Sequence, residues 1–376
     1  MLKICHIVSG LPRDCARIFF RQSISLVKAG YEVSILINDG GKDDLVNDIM
    51  IFNHGHQFKS RLNDILFAKK YFSRKALEID ADIYQLHGPE LIPLGLYLKK
   101  IGKIVFYDAH EDLPRDILEK RSIPKIIRPF LSKFIECYMK NTLNKFDEVF
   151  TVTPHIVNNL KKIINNVTMI TNFPLIDNMQ IFDFNDYNLR DNNLCYVGTV
   201  YSYSNQDVLF DVMSKVNDIN YIIAGNGKFL STNINYQILK SQDRVKFLGK
   251  LSKDELGTLY NQCIAGYVLY DYHRNLGYNI GSFGTNKLFE YMIAGLPVIC
   301  TDFELWKNII DKYDCGIYVE PGKADQLENA ILFLTNNKQK AYEMGQNAIN
   351  AVVKEYNWLE QEKVYLHVFS KYVKDA

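Results

Sequence analysis

The chain has 376 residues, more than one ordinary core holds, and suits two domains of somewhat under about 200 residues each. Apolar residues make up 47% and charged ones 23%, a globular balance that excludes a disordered or low-complexity chain. The formal net charge of +1 gives no global field to draw in nucleic acid, so any charged partner must meet a local patch.

The first ten residues are apolar but too short and too polar for a signal peptide. No later run of about 18 apolar residues follows, so neither secretion by that route nor a membrane span is expected. The seven cysteines are odd in number, scattered and without CxxC spacing, which argues against a disulfide framework or a zinc site and for a reducing cytoplasm.

Short β-branched runs then alternate with helical patterns, at 4–8, 32–37, 83–86, 104–107, 148–152 and 167–171. Helical spacing fills the gaps, as in 15–29 before Gly30 and 91–100 before Gly102. A parallel sheet covered by helices is expected. From 177 to 193 the sequence turns Asn- and Asp-rich without a sustained period, as an exposed connection does.

The alternation restarts at 194–197, 221–224, 245–248, 266–269, 297–300 and 316–319, and after Gly322 the pattern is helical nearly to the end. The expected organisation is an α/β domain over 1–176, a linker over 177–193, a second α/β domain over 194–355 and a final helical segment, 356–376.

In open α/β sheets ligands sit beyond the carboxyl ends of the strands, so the residues just after each strand are the informative ones. In the second domain these are Gly198 and Thr199, then Gly225 and Gly227 followed by Lys228, then Gly249 and Lys250. Glycine there lets the backbone approach a phosphate or a base, and equally serves an ordinary turn.

The richest segment is 277–298, where Gly281-Ser-Phe-Gly284 leads into a helix that stops at Gly295. A helix N-terminus presents unpaired N–H groups suited to a diphosphate, and Lys287 lies in the first turn. Glu290 follows on the same side of the helix, where a carboxylate can take the paired hydroxyls of a ribose or simply form a helical pair with Lys287.

In the first domain His87 and His110 follow strands, and His110 stands beside Glu111 and Asp112. The DxD formed by Asp80 and Asp82 precedes its strand and so lies at the wrong edge for a metal-diphosphate site. His54 and His56 read as loop residues. From 115 to 145, eight Lys or Arg stand against three acids, with Ile126, Ile127, Phe130, Leu131, Phe134 and Ile135 interleaved. That pattern fits a helix on an anionic membrane surface, or one packed on the sheet with a solvated basic face.

Thr285-Asn-Lys-Leu-Phe-Glu-Tyr-Met-Ile-Ala-Gly-Leu-Pro-Val298 resembles the donor-site signature of retaining GT-B glycosyltransferases of family 4, which includes many bacterial polysaccharide enzymes. Tyr107-Asp-Ala-His-Glu111, Tyr196-Val-Gly198, Ala224-Gly-Asn-Gly227, Val245-Lys-Phe-Leu-Gly249 and Tyr356-Asn-Trp358 fall in the family's order, so the resemblance covers most of the chain. It implies two Rossmann-like domains facing a central cleft, with a last helix crossing back to the first.

The resemblance also implies roles. Glu290 would take the ribose hydroxyls, the backbone from Gly284 through Thr285 and Asn286 to Lys287 the diphosphate, and Gly249-Lys250-Leu251 the base. Ser282, Phe283 and Leu288 would complete the donor site, with Gly198, Thr199, Gly225 and Gly227 beside it and Gly10 closing over the phosphates. His110 and His87, with Lys287 and Glu290, would be the catalytic set for front-face substitution with retention.

No cofactor or metal is implied beyond the co-substrate, a UDP-sugar first and a GDP-sugar second, with a glycan or polyprenyl-linked acceptor. Ser282 stands where the family often has the first of two acids, and Thr199 and Asn205 where it often has a basic pair. The leaving diphosphate would then rely on Lys287, with Lys228 or Arg274 as helpers. A sugar-nucleotide epimerase and a non-catalytic binding homologue are the alternative readings.

Overall fold

In a computed structural model the described residues are 2–55, 61–120, 122–176, 184–227, 230 and 233–373. His56, Arg121, Lys228 and the 177–183 part of the expected linker lie outside them. Contacts divide the chain into two compact units, Met1–Asn172 with Trp358–Ala376, and Phe173–Asn357.

The first unit is built on an eight-stranded sheet. Its strands are β1 (Lys3–Val8), β2 (Glu32–Ile37), β3 (Asp44–Val46), β4 (Ile49–Asn53), β5 (Ile83–His87), β6 (Ile104–Ala109), β7 (Glu148–Thr151) and β8 (Val167–Met169). The order is β3-β4-β2-β1-β5-β6-β7-β8. All neighbours are parallel except β3 and β4, which form an antiparallel hairpin at the edge. The expected parallel sheet is present, with this one hairpin added at its edge. Asn47 and Asp48 turn the hairpin at φ 51° and 61°, the left-handed conformation that a two-residue turn matching strand twist requires.

Side chains alternate across this sheet, and its two faces differ. Cys5, Ile7, Tyr84, Leu86, Val105, Tyr107 and Val149 join one apolar core. The intervening positions on the central strands carry His6, Gln85, His87 and Asp108, all 0–1% exposed. This polar row is covered by the helix Ala16–Ser23 and by the C-terminal helix Trp358–Ser370. Tyr365 Oη donates to Gln85 Oε1 at 2.7 Å, and Trp358 Nε1 to Ser25 Oγ at 2.9 Å.

The segment read as one helix over 15–29 is a π-helical stretch, Ala16–Ser23, running into an α-helix, Ile24–Lys28. The wider winding brings Arg17 and Gln22, five positions apart, onto one buried side.

The second unit has six parallel strands, β9 (Asn193–Thr199), β10 (Asn220–Asn226), β11 (Val245–Gly249), β12 (Ala265–Val268), β13 (Val298–Thr301) and β14 (Gly316–Val319). Their order is β11-β10-β9-β12-β13-β14. Leu194, Tyr196, Tyr221 and Ile223 face one core, while Cys195, Ile222 and Ala224 face the other. Helices on both faces leave the carboxyl ends of the strands as the open edge.

Candidate functional site

At that edge of the second unit, the penultimate residues of β9 and β10 are two glycines in register, Gly198 and Gly225, at φ 122° and 126°. No side chain fits at either. A Cβ at Gly225 would stand 2.2 Å from the Gly198 carbonyl oxygen, and one at Gly198 would stand 2.8 Å from Lys287 Cε. The glycine pair therefore clears a bare backbone floor with the Lys287 side chain lying across it.

Lys287 reaches this floor from the helix Asn286–Ile293. The helix forms because Leu288, Phe289, Tyr291, Met292 and Ile293 bury one side, leaving Lys287 and Glu290 partly exposed a turn apart. Tyr291 Oη accepts from the Val197 N–H at 2.9 Å and fixes the helix against the end of β9. Thr285 precedes the first turn without a side-chain cap, so the leading N–H groups keep their capacity to bind an anion.

The Lys287 ammonium lies 5.1 Å from the Tyr196 ring centroid and 5.9 Å from that of Tyr270. Burial pushes its pKa down to about 8, against the opposing pull of the Glu290 charge. A cation held among aromatic rings above a glycine floor has lost much of its water, and a bound phosphate would restore a partner.

The remaining donor-site expectations divide by what their side chains do. Ser282 is 6% exposed, and its Oγ accepts from the Gly284 N–H at 3.0 Å while its carbonyl accepts from Trp306 Nε1 at 3.0 Å. It shapes the loop. Phe283 packs against Phe173 and Tyr356 with centroids 5.8 and 6.2 Å apart. Leu288 is 1% exposed in the core, and its backbone lies in the first turn of the helix.

Gly284, Thr285, Thr199 and Gly227 are partly exposed and Asn286 is exposed. Gly249 closes β11 at φ 72°, Lys250 is exposed, and Leu251 leans on the core. Arg274 lies 5.7 Å from the Tyr278 ring centroid. Asn205 is committed elsewhere, donating to Asp271 Oδ1 at 2.8 Å and accepting from the Gly322 N–H at 3.1 Å.

In the first unit, Gly10 follows β1 at φ 73° and its N–H donates to Asn38 Oδ1 at 3.2 Å. His87 is the last residue of β5, and its side chain is 0% exposed. Its ring is enclosed by the polar row, so any part it takes in orienting sugar and acceptor would pass through His110. His110 is the member that surfaces, with its side chain 31% exposed.

Arg17 and Asp108, which sequence reasoning missed, organise the row. Arg17 Nε and Nη2 donate to the two Asp108 oxygens at 2.8 and 2.7 Å, and Gln22 Nε2 adds a third bond at 2.8 Å. Burial acts to raise the Asp108 pKa, but the Arg17 charge against it holds the carboxyl well below its usual range. Asp108 Oδ2 also lies 3.5 Å from both His87 Nδ1 and His110 Nε2.

The donor atoms of His87, Asp108 and His110 fall within 4.8 Å of one another, which is close enough for a metal. The chemistry does not suit one: Arg17 already neutralises the carboxylate bidentately and would repel a second cation. Asp80 and Asp82 accept structural bonds, from Lys103 Nζ at 2.7 Å and from the Lys3 N–H at 2.8 Å. His54 packs edge-on against Phe72 at 4.3 Å.

The basic stretch forms the helices Leu113–Glu119 and Arg128–Leu143. Arg115 pairs with Glu136 at 3.0 Å and Arg128 bonds the Ile123 carbonyl at 2.8 Å, so both are used internally. Ile126, Ile127, Phe130 and Phe134 are 83, 51, 77 and 66% exposed, beside exposed Lys120, Lys125, Lys133 and Lys140. Among the described residues no helix is long and apolar enough to cross a membrane.

Residues 178–351 match the family model described as Glycosyl transferases group 1. The uncharacterized glycosyltransferase MJ1178 of Methanocaldococcus jannaschii is 23% identical over 336 residues, covering 87% of this chain and 86% of that one. Sucrose-phosphate synthase from Thermosynechococcus elongatus superposes with a TM-score of 0.74 at 16% identity, covering 99% of this chain and 100% of that one. Anabaena Alr3699/HepE in complex with UDP-glucose gives 0.69 at 15% identity, with coverage of 99% and 100%. Over residues 178–351 the chain is thus similar to Glycosyl transferases group 1, a likeness that supports glycosyltransferase activity, and the chain has the GT-B fold.

Proposed function

We propose that the protein transfers a sugar from a nucleoside-diphosphate sugar to a glycan or polyprenyl-linked acceptor, with retention of anomeric configuration and without a metal. The observation that carries this reading is Lys287, whose ammonium lies over the Gly198 backbone beside an uncapped helix N-terminus. A diphosphate meets both donors at once. Glu290, a turn further on, takes the ribose hydroxyls, and the Gly249-Lys250-Leu251 turn meets the base. His110, backed by His87, orients the reacting groups.

A UDP-sugar is the first choice of donor and a GDP-sugar the second; the likeness to HepE, which was solved with UDP-glucose, supports that order. The test is thermal unfolding of the purified chain against UDP-, GDP-, ADP- and CMP-sugars. One nucleotide family raises Tm selectively, by about 2–4 °C at saturating ligand. A flat response across the panel overturns the reading. Conversion of the donor without acceptor would mark an epimerase, and binding without turnover a non-catalytic homologue.

In the same proposal the lipid-linked acceptor is reached at an anionic membrane face, met by the apolar tip of 126–134 and its flanking lysines. Co-sedimentation with vesicles containing phosphatidylglycerol is expected, but not with vesicles of phosphatidylcholine alone. A Phe130→Ser, Phe134→Ser double variant loses about tenfold in vesicle affinity. Equal binding by the double variant would remove this tip from the contact.

A further inference from the structure

The buried histidines of the first unit form a directed chain. His6 Nδ1 lies 3.0 Å from His87 Nε2, and His87 Nδ1 lies 3.4 Å from His110 Nε2. His6 and His87 are 0 and 1% exposed. His6 Nε2, at the inner end, has no hydrogen-bond partner among the described residues. Asp108, locked to Arg17, closes the outer end as an acceptor only.

These contacts decide where the protons sit. Burial, opposed by the Asp108 charge, lowers the His6 pKa to about 4, and burial first of all holds His87 well below its usual value. Both rings are therefore neutral near pH 7, with one N–H each. A strong N–H donor is rarely left bare in a core, so His6 carries its hydrogen on Nδ1 and leaves the weaker lone pair at Nε2 unpartnered. His87 Nε2 must then accept, which puts the His87 hydrogen on Nδ1, facing Asp108 and His110.

We propose that His6 is a positioning residue that sets the tautomer of His110 through His87. With His87 Nδ1–H donating, His110 Nε2 accepts, and neutral His110 carries its hydrogen on Nδ1, at the other edge of a ring that is 31% exposed. His110 thus presents a hydrogen-bond donor, fit for a sugar hydroxyl or a developing negative oxygen, and not a base. The activity side of this inference rests on the transferase reading above; the tautomer side does not.

The charged and titratable groups facing the chain are Asp108, Arg17 and the three histidines themselves, with Tyr365 behind Gln85. The test uses the full chain labelled with 15N-histidine, read by long-range proton–nitrogen correlation at pH 8 and assigned by single replacements. His6, His87 and His110 are expected as Nδ1–H tautomers, and His6 and His87 keep that state down to pH 5.5. An Nε2–H signal for His87 overturns the proposal, whether or not the chain proves active.

His6→Phe keeps the ring volume and removes the donor. It is expected to mix the His110 tautomers and lower kcat about tenfold while leaving the donor KM within about twofold. His6→Asn, whose amide N–H can stand in for Nδ1–H, restores both the single tautomer and kcat. A single unchanged His110 tautomer in His6→Phe, or failure of Asn to rescue in a folded protein, overturns the role of His6.

Discussion

Lys287→Met lowers kcat/KM for transfer about 100- to 1,000-fold, or roughly 3–4 kcal/mol in transition-state stabilisation, the usual loss when a preorganised donor to a developing anion is removed. The fold should not suffer. The lysine's depressed pKa means that the folded protein disfavours the charged form, so exchanging ammonium for a thioether of similar shape leaves Tm unchanged or raises it. Loss of transfer with a lowered Tm would point instead to a structural lysine. Glu290→Ala abolishes transfer alongside it while leaving the fold intact.

The same residue gives a pH signature with a fixed sign. Lys287 is protonated below about pH 8 and neutral above it. Anion binding favours the protonated form, so the donor KM is lowest on the acid side and rises through pH 8, by up to about tenfold per unit beyond it. Lys287→Met flattens that limb. A limb that persists in the variant would assign the titration to another group.

Local periodicity carried much of the fold into the sequence. Runs such as Glu32–Ile37 and Gly316–Val319 are apolar because both faces of a parallel strand are covered, and Gly295 at φ 70° ends the Lys287 helix as its position after the last apolar residue suggests. The hairpin of β3 and β4 carried a signal too, Asn47-Asp48 between short apolar runs, but β3 is only three residues long and mostly exposed. The second unit's proposed anion site could be placed from the sequence because a glycine loop, a helix start and Lys287 lie within one short segment.

The polar row was not legible in that way. His6, Gln85, His87 and Asp108 are polar interruptions at alternate positions of buried strands, a sign readable strand by strand. Their partners are not: Arg17 and Asp108 stand 91 positions apart, and only sheet order and the π-helical winding of Ala16–Ser23 bring them together. His87 taken alone resembles His110, and their division into a buried and a surface member follows from tertiary cover.

Asp108→Asn is the most destabilising single change expected in the first unit, at about 3–5 kcal/mol, because it leaves the buried Arg17 cation without its bidentate partner. Arg17→Met falls in the same range for the converse reason. With its folded pKa held well below the ordinary carboxylate value, Asp108 contributes stability that is present above about pH 4 and lost as pH falls further. Urea unfolding of the wild-type chain should show that acid limb and Asp108→Asn should lack it; identical limbs would mean that the pair is not the titrating element.

The double variant Arg17→Met, Asp108→Leu separates stability from function. It removes both charges together, so its loss is smaller than the sum of the losses of Arg17→Met and Asp108→Leu measured singly, by about 2–3 kcal/mol of coupling. Activity is not expected to return with stability, since neither Met nor Leu offers His87 Nδ1–H the carboxylate acceptor that helps to order it. A folded, fully active double variant would show that the ion pair only holds the sheet to its covering helix; a folded variant with impaired turnover makes the pair a support for His110.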